Sequence, residues 1–239
     1  MCDYKKLSYM QIGAGENIVL LHGWGANKNC WGNINSLSED FRLTLLDLWG
    51  FGSTPEPESK CGSIEYAEGI ASFIKDKFDS KVIVIAHSFG GRIALHLASW
   101  GLVSKLILID SAGIPPRFSL KKQFLIYKYK RLKRKVALGK MDANKLDKFG
   151  SNDYLSSSKV MRGVLVSVVN ENLVSVAKKI DIPTLVLWGR RDKITPLYMA
   201  RTLRKTIKNS LLQVVNGGHF CFLNTSVLSF IYNFLENSQ

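Results

Sequence analysis

Ser88 is the residue whose position in this sequence most directly suggests chemistry. The apolar run Val82–Ala86 ends just before it, and apolar residues then return at helical spacing over Phe89–Trp100. A strand-to-helix turn this tight strains its central residue and requires small neighbours two positions away, where Ala86 and Gly90 stand. The turn is expected to lift the hydroxyl above the carboxyl ends of the strands, at a helix N-terminus that favours developing negative charge.

The five residues from Ala86 to Gly90 match the motif known as the nucleophile elbow, with Ala86 in place of its first glycine. A motif this short also occurs by chance, and a serine that merely caps a helix explains it as well. The elbow interpretation therefore depends on whether the chain also supplies a base, an acid and donors for an oxyanion.

His219 is the histidine placed to act as the base that a weakly nucleophilic serine needs. It follows the last predicted strand, in the loop Asn216–His219. Of the other three histidines, His22 follows the first apolar strand, His87 precedes the serine, and His96 lies on the polar side of the predicted helix. In α/β proteins with a nucleophile elbow, the catalytic residues occur along the chain in the order serine, acid, histidine, which favours His219.

Three aspartates follow predicted strands and are candidates for the acid that orients the base. Asp192 ranks first because its strand immediately precedes the strand that leads to His219. Asp110 occupies an analogous position and is the alternative. We expect Asp47 instead to anchor the loop 48–53, whose glycines indicate special backbone angles.

An oxyanion formed during acyl transfer needs preorganised donors, usually two backbone N–H groups. The sequence predicts one at Phe89, directly after the serine, and the other at Trp24, in the loop after the strand 18–21. His22 and Gly23 are expected to support the Trp24 loop, as Gly90 supports the elbow. The alternative for Trp24 is a core tryptophan beside a simple glycine turn.

Short continuous apolar runs alternate with helical patterns along the chain, which predicts an α/β protein with a doubly wound, mostly parallel sheet. A hairpin from Lys6 to Ile12, turning through residues 13–15, would add antiparallel strands at the start. The alternation stops at Pro115-Pro116 and resumes at Pro183. We therefore expect a core of residues 1–113 and 182–239, interrupted by a helical cap, or lid, of residues 114–181.

The predicted cap carries most of the chain's net charge of +14, because residues 117–148 contain twelve Lys or Arg and two Asp. Within it, Leu125, Tyr129, Leu132 and Val136 are spaced as one face of an amphipathic helix. This basic helix has two interpretations: it attracts an anionic substrate or makes a weak contact with an anionic membrane, or it is a lid with solvated lysines. The sequence favours the lid, and substrate choice is expected to reside in the cap.

Size and composition set further limits. A chain of 239 residues that is 46% hydrophobic can bury one good core. Neither a signal peptide nor a membrane-spanning run is recognisable, so we expect a cytoplasmic protein. The cysteines at 2, 30, 61 and 221 lack metal-binding spacing, and no nucleic-acid-binding motif is present. We therefore expect no metal and no nucleic-acid partner, while the oligomeric state is not readable.

The sequence resembles the α/β-hydrolase fold superfamily, through five segments that occur in the superfamily's order. These are LLHGWG, DLWGFGST, VIAHSFGGRIAL, LVLWGRRDKITP and NGGHF. The resemblance implies a triad of Ser88, Asp192 and His219, a cap at the insertion and no cofactor. Small esterases and carbon–carbon bond hydrolases of this superfamily are similar in length and cap position.

Two departures bear on the choice within the superfamily. Carbon–carbon hydrolases typically carry Asn before the serine and Trp after the histidine, where this chain has His87 and Phe220. The sequence therefore predicts a serine hydrolase that acts on a small-molecule ester or related acyl substrate. The alternatives are a carbon–carbon hydrolase of the same fold and a ligand-binding protein that keeps the fold without catalysis.

Overall fold

Seven strands form one sheet in the computed structural model, which describes residues 2–117, 120–142 and 151–237. The order across the sheet is β1-β3-β2-β4-β5-β6-β7, and every neighbouring pair is parallel except β1 with β3. The mostly parallel sheet predicted from the sequence is confirmed. The strands are β1 Tyr9–Ile12, β2 Glu16–Leu21, β3 Phe41–Leu46, β4 Val82–His87, β5 Val103–Ile109, β6 Thr184–Gly189 and β7 Ser210–Val215.

Helices cover both faces of the sheet. Along β4, Val82, Val84 and Ala86 contact the hydrophobic layer of α1, α2 and α7, whereas Ile83 and Ile85 contact the layer of α8. Because both layers are apolar, the sequences of the strands are continuous apolar runs and not alternating ones. The helices are α1 Ser63–Lys77, α2 Phe89–Ser99, α3 Leu120–Ala137, α4 Asn152–Ser156, α5 Lys159–Val169, α6 Val174–Ala177, α7 Tyr198–Thr206 and α8 Ser226–Asn237, with 3₁₀ turns at Tyr4–Lys6, Gly32–Glu39 and Cys221–Leu223.

The predicted N-terminal hairpin is wrong in its pairing. β1 is antiparallel to β3, with Tyr9 opposite Leu46, and does not pair with β2, the next strand in sequence. The turn between β1 and β2 passes across the start of β3. There a Cβ on Gly13 would lie 2.3 Å from the Phe41 carbonyl oxygen, and both Gly13 and Gly15 have positive φ. This close packing lets the chain cross over and place β2 on the far side of β3.

The insertion predicted at residues 114–181 lies between β5 and β6, and its described part contains α3 to α6 and no strand. The predicted amphipathic helix is α3. Tyr129, Leu132 and Val136 of its apolar stripe are half-buried, whereas Leu125 is 47% exposed. The division into a core and a separate cap remains a prediction. Lys145, Asp147 and Lys148, counted in its charge, lie outside the described residues, as do the side chains of Lys121 and Lys122.

Candidate active site

The backbone of Ser88 is strained in the way that the elbow motif requires. Its φ is 49° and its ψ is −110°, and its side chain makes no capping hydrogen bond to α2. A simple helix-capping role therefore does not explain the serine. A Cβ on Gly90 would lie 2.1 Å from the Leu21 carbonyl oxygen, so only glycine fits where α2 leaves the elbow.

His219 lies between Ser88 and Asp192 and contacts both. Its Nε2 is 2.8 Å from Ser88 Oγ, and its Nδ1 is 2.8 Å from Asp192 Oδ2. Because an ionised carboxylate only accepts hydrogen bonds, Nδ1 carries the proton and Nε2 is left to accept from the serine hydroxyl. The structure thus brings together the three side chains that the sequence selected.

The sheet explains how residues so distant in sequence meet. β6 and β7 are parallel neighbours, with Gly189 opposite Val215 at their carboxyl ends. The loop that holds Asp192 follows β6, and the loop that holds His219 follows β7. The Arg191 N–H donates to the Gly217 carbonyl at 2.9 Å and joins the two loops.

Asp192 is held as an ionised carboxylate. Its Oδ1 accepts from the backbone N–H groups of Ile194, at 2.7 Å, and Thr195, at 3.0 Å. Burial acts to raise its pKa, but hydrogen bonds from His219 and Thr195 outweigh this effect and hold the pKa below its ordinary value. The carboxylate is therefore available to orient His219 and to stabilise its cationic form.

Thr195 is a site residue that the sequence analysis missed. Its hydroxyl lies 2.6 Å from Asp192 Oδ2, 3.2 Å from His219 Nδ1 and 3.0 Å from the Asp110 carbonyl oxygen. The signal that marks it in the sequence is its place three residues after an aspartate, where Asp side chains commonly bond the following backbone in a turn. Thr195 thereby fixes the carboxylate that faces His219.

Asp110, the alternative acid, makes different contacts from those of Asp192. Its carboxylate accepts from the Gly189 N–H at 2.8 Å and from the Cys221 N–H at 3.4 Å, rather than from the ring of His219. Its φ is 44°, and burial raises its pKa to about 6. Asp110 ties the end of β6 to the segment after His219, so Asp192 is the aspartate that faces the imidazole.

Two backbone N–H groups, one in the loop after β2 and one in the elbow, are free to donate. Within the described part of the chain, neither the Trp24 nor the Phe89 N–H has a hydrogen-bond acceptor. Both residues line the same cavity as Ser88. A Cβ on Gly23 would lie 2.7 Å from His87 Nδ1, which is why glycine precedes Trp24 in this tight loop.

His22 supports the Trp24 loop from beneath. Its Nδ1–H donates to the Gly23 carbonyl at 2.8 Å, and its Nε2 accepts from the Leu48 N–H at 3.0 Å. Burial lowers the pKa of His22 to about 4, so the neutral ring keeps one donor and one acceptor. The ring therefore connects the loop after β2 to the loop after β3.

Asp47 anchors the loop after β3, as predicted. Its Oδ2 accepts from the Ser53 N–H at 2.8 Å and from Lys28 Nζ at 2.6 Å, and its Oδ1 accepts from the Lys28 N–H. Burial acts to raise its pKa, but these hydrogen bonds outweigh that effect and lower it. The residue therefore shapes the loop that reaches His22 without contacting Ser88.

Comparison with known proteins fits this geometry. Residues 18–226 match the model of the alpha/beta hydrolase family, which is most of the chain. The chain belongs to this family.

Relatives of this alpha/beta hydrolase include esterases. Over 233 residues it is 28% identical to the pimeloyl-[acyl-carrier protein] methyl ester esterase of Vibrio campbellii, across 88% of this chain and 89% of that protein. Over 239 residues it is 26% identical to the 2-hydroxy-6-oxo-6-(2'-aminophenyl)hexa-2,4-dienoic acid hydrolase of Metapseudomonas resinovorans, across 90% and 81%. A solved esterase from Exiguobacterium antarcticum is similar, with a TM-score of 0.72 and 26% identity, covering 96% of this chain and 94% of that one.

In this alpha/beta hydrolase, His87 contacts the backbone of His219. Its Nε2 lies 2.7 Å from the backbone carbonyl oxygen of His219 and donates to it. Burial, together with the nearby His219, lowers the pKa of His87 to about 3, so its ring stays neutral. Its Nδ1 is buried and has no partner among the described residues.

The cavity above Ser88 has a volume of about 380 Å³ and largely apolar walls. Leu165, Val168 and Val169 of α5 line it, as does Met199 of α7. No described residue of the basic helix α3 lines it. The expectation of an α3 lid over the pocket is therefore wrong for the described residues, because α5 supplies the covering side chains.

Arg92, which lines the cavity, forms an ion pair with the partly exposed Glu171, and the sequence analysis missed this pair. Arg92 Nη1 lies 3.6 Å from Glu171 Oε2. Glu171 also accepts from the N–H of Ser63 at 2.8 Å and from its hydroxyl at 2.6 Å. Burial lowers the pKa of Arg92 to about 10. The polar side of α2, which also holds the buried His96, thus faces this pair and not solvent.

No other ligand-binding chemistry stands out. Among the described residues, no group of three His, Cys, Asp or Glu side chains is arranged to hold a metal ion. The four cysteines are unpaired. Within the same ranges, none of the helices has the length and apolar character needed to cross a bilayer.

Proposed function

We propose that this alpha/beta hydrolase is a serine hydrolase that cleaves a small carboxylic ester or related acyl compound through an acyl-enzyme. The observation that carries the proposal is the position of His219, with one ring nitrogen 2.8 Å from Ser88 Oγ and the other 2.8 Å from Asp192 Oδ2. This arrangement makes a serine hydroxyl nucleophilic at neutral pH.

In the first half of the reaction, Ser88 Oγ attacks the substrate carbonyl carbon while its proton passes to His219 Nε2. Asp192 stabilises the resulting imidazolium through Nδ1–H. The carbonyl oxygen becomes an oxyanion, which the N–H groups of Trp24 and Phe89 stabilise. When the bond to the leaving group breaks, His219 returns the proton to the leaving alcohol, and the acyl group stays on Ser88.

In the second half, water replaces the alcohol. His219 Nε2 takes a proton from the water, the hydroxide forms a bond to the acyl carbon, and a second oxyanion lies at the same N–H groups. Collapse of this intermediate releases the carboxylic acid and returns the proton to Ser88 Oγ. The cycle uses the substrate, water, the side chains of Ser88, His219 and Asp192, and two backbone N–H groups.

The cavity favours an apolar acyl group. The α5 side chains Leu165, Val168 and Val169 face the space above Ser88, and burial of aliphatic groups against such walls is favourable. Esterases among the relatives support the same substrate class. Cleavage of a carbon–carbon bond is the alternative, since one relative is a dienoic acid hydrolase. His87 and Phe220 depart from the residues typical of that group.

Ser88→Ala tests the proposal directly. We expect turnover of p-nitrophenyl esters to fall by about a thousandfold or more, since the nucleophile is lost while the cavity remains. Ser72→Ala, on the exposed surface of α1, is the matched control and should keep full activity. Both variants should unfold at the wild-type urea concentration. Full turnover by purified Ser88→Ala would exclude the assignment.

A graded substrate series separates the alternatives. It should contain acyl esters of increasing chain length, the matching thioesters, and a vinylogous diketone that reports carbon–carbon cleavage. A serine esterase turns over the esters many times per molecule. Faster cleavage of the diketone would instead favour the carbon–carbon hydrolase, and product that never exceeds one equivalent would indicate a binding protein.

A further inference from the structure

Helix α3 is strongly basic and carries its charges outward. Its 18 residues include eight Lys or Arg and no Asp or Glu. Every Lys or Arg of the helix whose side chain is described is exposed: Lys128, Lys130, Arg131, Lys133, Arg134 and Lys135. This end of the molecule therefore presents a concentrated positive charge.

Large apolar side chains lie on the same exposed surface. Leu120, Phe124 and Tyr127 are 78%, 56% and 60% exposed. Their spacing of four and three places them along one side of the helix, and Arg131 and Lys135 continue that line. Lys128 Nζ lies 4.7 Å from the centre of the Phe124 ring. We call this line of five residues, 120, 124, 127, 131 and 135, the outer stripe.

The outer stripe is not the side by which α3 attaches to the protein. Tyr129, Leu132 and Val136 are the half-buried residues, and they lie about 130° around the helix from the outer stripe at 100° per residue. No described residue of α3 lines the cavity. Exposure of leucine, phenylalanine and tyrosine to water is unfavourable, which calls for a partner at the outer stripe.

We propose that the outer stripe of α3 docks the protein on the surface of an anionic lipid bilayer. The apolar residues would enter the boundary between headgroups and acyl chains, and the lysines and arginines would contact the anionic headgroups. Charge complementarity selects this partner. A second copy of the chain would bring together two helices with eight positive charges each, and these repel each other.

Docking would bring the cavity to the membrane. Pro116, four residues before α3 begins, lines the cavity, and so does Asp153 of α4. A side-chain hydrogen bond between Tyr129 and Tyr154 connects α3 to α4, and burial together with this bond raises the pKa of Tyr129. An ester held at the bilayer surface would thus lie near segments that line the cavity of Ser88. Only this last step rests on the proposed hydrolase function; docking does not.

Flotation of the whole protein with lipid vesicles tests the proposal. We expect the wild-type protein to bind vesicles of phosphatidylcholine with about 30% phosphatidylglycerol at 20 mM NaCl, and to bind at least tenfold more weakly at 500 mM. Vesicles of phosphatidylcholine alone should not bind. Absence of binding to the anionic vesicles at low salt would overturn the proposal.

Three variants identify the surface. Phe124→Ser with Tyr127→Ser keeps every charge and should weaken binding about tenfold. Arg131→Gln with Arg134→Gln and Lys135→Gln should abolish it. The matched control removes three exposed charges from α7, with Arg201→Gln, Arg204→Gln and Lys205→Gln, and should retain binding within about threefold. Equal loss in the control, or undiminished binding of the α3 variants, would contradict a docking site on α3.

Two further measurements complete the test. Each variant should unfold at the wild-type urea concentration, so that lost binding reports the surface. Tighter binding to a nucleic-acid duplex or an acidic protein than to anionic vesicles would also overturn the proposal. Wild-type protein that binds vesicles but cleaves no ester would refute the proposed function and leave docking standing.

Discussion

The Thr195 hydroxyl lies close to both Asp192 and His219 and donates its only proton to the nearer partner, Asp192 Oδ2, at 2.6 Å. The carboxylate then holds four hydrogen bonds: two from backbone N–H groups, one from Thr195 and one from the imidazole. In the proposed reaction, Thr195 acts through Asp192, so it is a positioning residue. Its contribution should appear in the rate and not in substrate binding.

Thr195→Val removes the hydroxyl and keeps the shape of the side chain. We expect kcat for ester hydrolysis to fall about tenfold, the cost of one charge-assisted hydrogen bond, with KM within about twofold of wild type. The pKa of Asp192 should rise towards its ordinary value, so activity on the acid side should be lost at a higher pH. The pH dependence of kcat/KM measures this shift.

Thr195→Ser is the matched control, since it restores the hydroxyl, and should recover most of the rate. A Thr195→Val variant with a wild-type pH profile would show that the hydroxyl does not influence the carboxylate.

The ends of the strands were predictable because the sequence patterns that mark them are local. Continuous apolar runs followed by glycine-rich or polar loops identify β2, β4, β6 and β7, and the residues after them are Trp24, Ser88, Asp192 and His219. The pairing of β1 was not predictable from such a pattern. Its partner is set by where the turn at Gly13 packs, which is a tertiary contact.

Which helix lines the cavity was also not predictable from the local sequence pattern. Both α3 and α5 carry an apolar stripe, and periodicity does not show which stripe faces the site. Leu165 and Val168 of α5 line the cavity, whereas Phe124 of α3 is exposed. The ion pair of Arg92 was not predictable for a related reason. A charged residue on a helix is expected to be in solvent, and the partner Glu171 lies 79 residues away in sequence.

The Arg92–Glu171 pair should be a link between α2 and the segment that connects α5 to α6. Either Arg92→Met or Glu171→Gln leaves one charge in a mostly buried place without its counter-charge. We expect each variant to lower the free energy of unfolding by about 2 kcal/mol. This is less than the usual cost of breaking a fully buried ion pair, because Glu171 is partly exposed and also accepts a hydrogen bond from Ser63. Urea denaturation measures the effect.

The double variant supplies the control for this link. If the two side chains interact, its loss should be smaller than the sum of the single losses by about 1 kcal/mol. Losses that add to within about 0.5 kcal/mol would show that each side chain acts through other contacts.

For the whole molecule, buried neutral histidines predict a loss of stability in acid. The pKa of His87 is lowered to about 3 from an ordinary 6.5, so between these values the unfolded chain binds a proton that the folded chain does not. The stability that neutral His87 provides is complete above pH 6.5 and falls as the pH drops towards 3. Buried Asp110, with its pKa raised to about 6, has the opposite dependence between about pH 4 and 6.

His87→Asn isolates the histidine from this opposing carboxylate. Asparagine can still donate to the His219 carbonyl but does not titrate. We expect the free energy of unfolding of the wild type to fall relative to that of the variant by about 1 kcal/mol per pH unit from pH 6 to pH 4. Urea denaturation at several pH values provides the test. A constant difference between the two proteins would mean that His87 is protonated in the folded state.

The sheet as a whole brings the proposed chemistry to one edge. β4 lies between β2 and β5, so the elbow has the Trp24 loop on one side and the loops of Asp110, Asp192 and His219 on the other. Parallel strands place all of these loops at their carboxyl ends, where open α/β sheets bind ligands. We propose that the groups at this edge make Ser88 the nucleophile.

Covalent labelling with a fluorophosphonate, followed by intact mass measurement and peptide mapping, tests whether Ser88 is the nucleophile. Loss of fluoride leaves a phosphonyl group on the attacking oxygen, so one adduct per chain is expected, on Ser88. It should be absent in Ser88→Ala and form at least a hundredfold more slowly in His219→Ala, which lacks the base. An adduct on another residue, or one that survives Ser88→Ala, would contradict the assignment of Ser88.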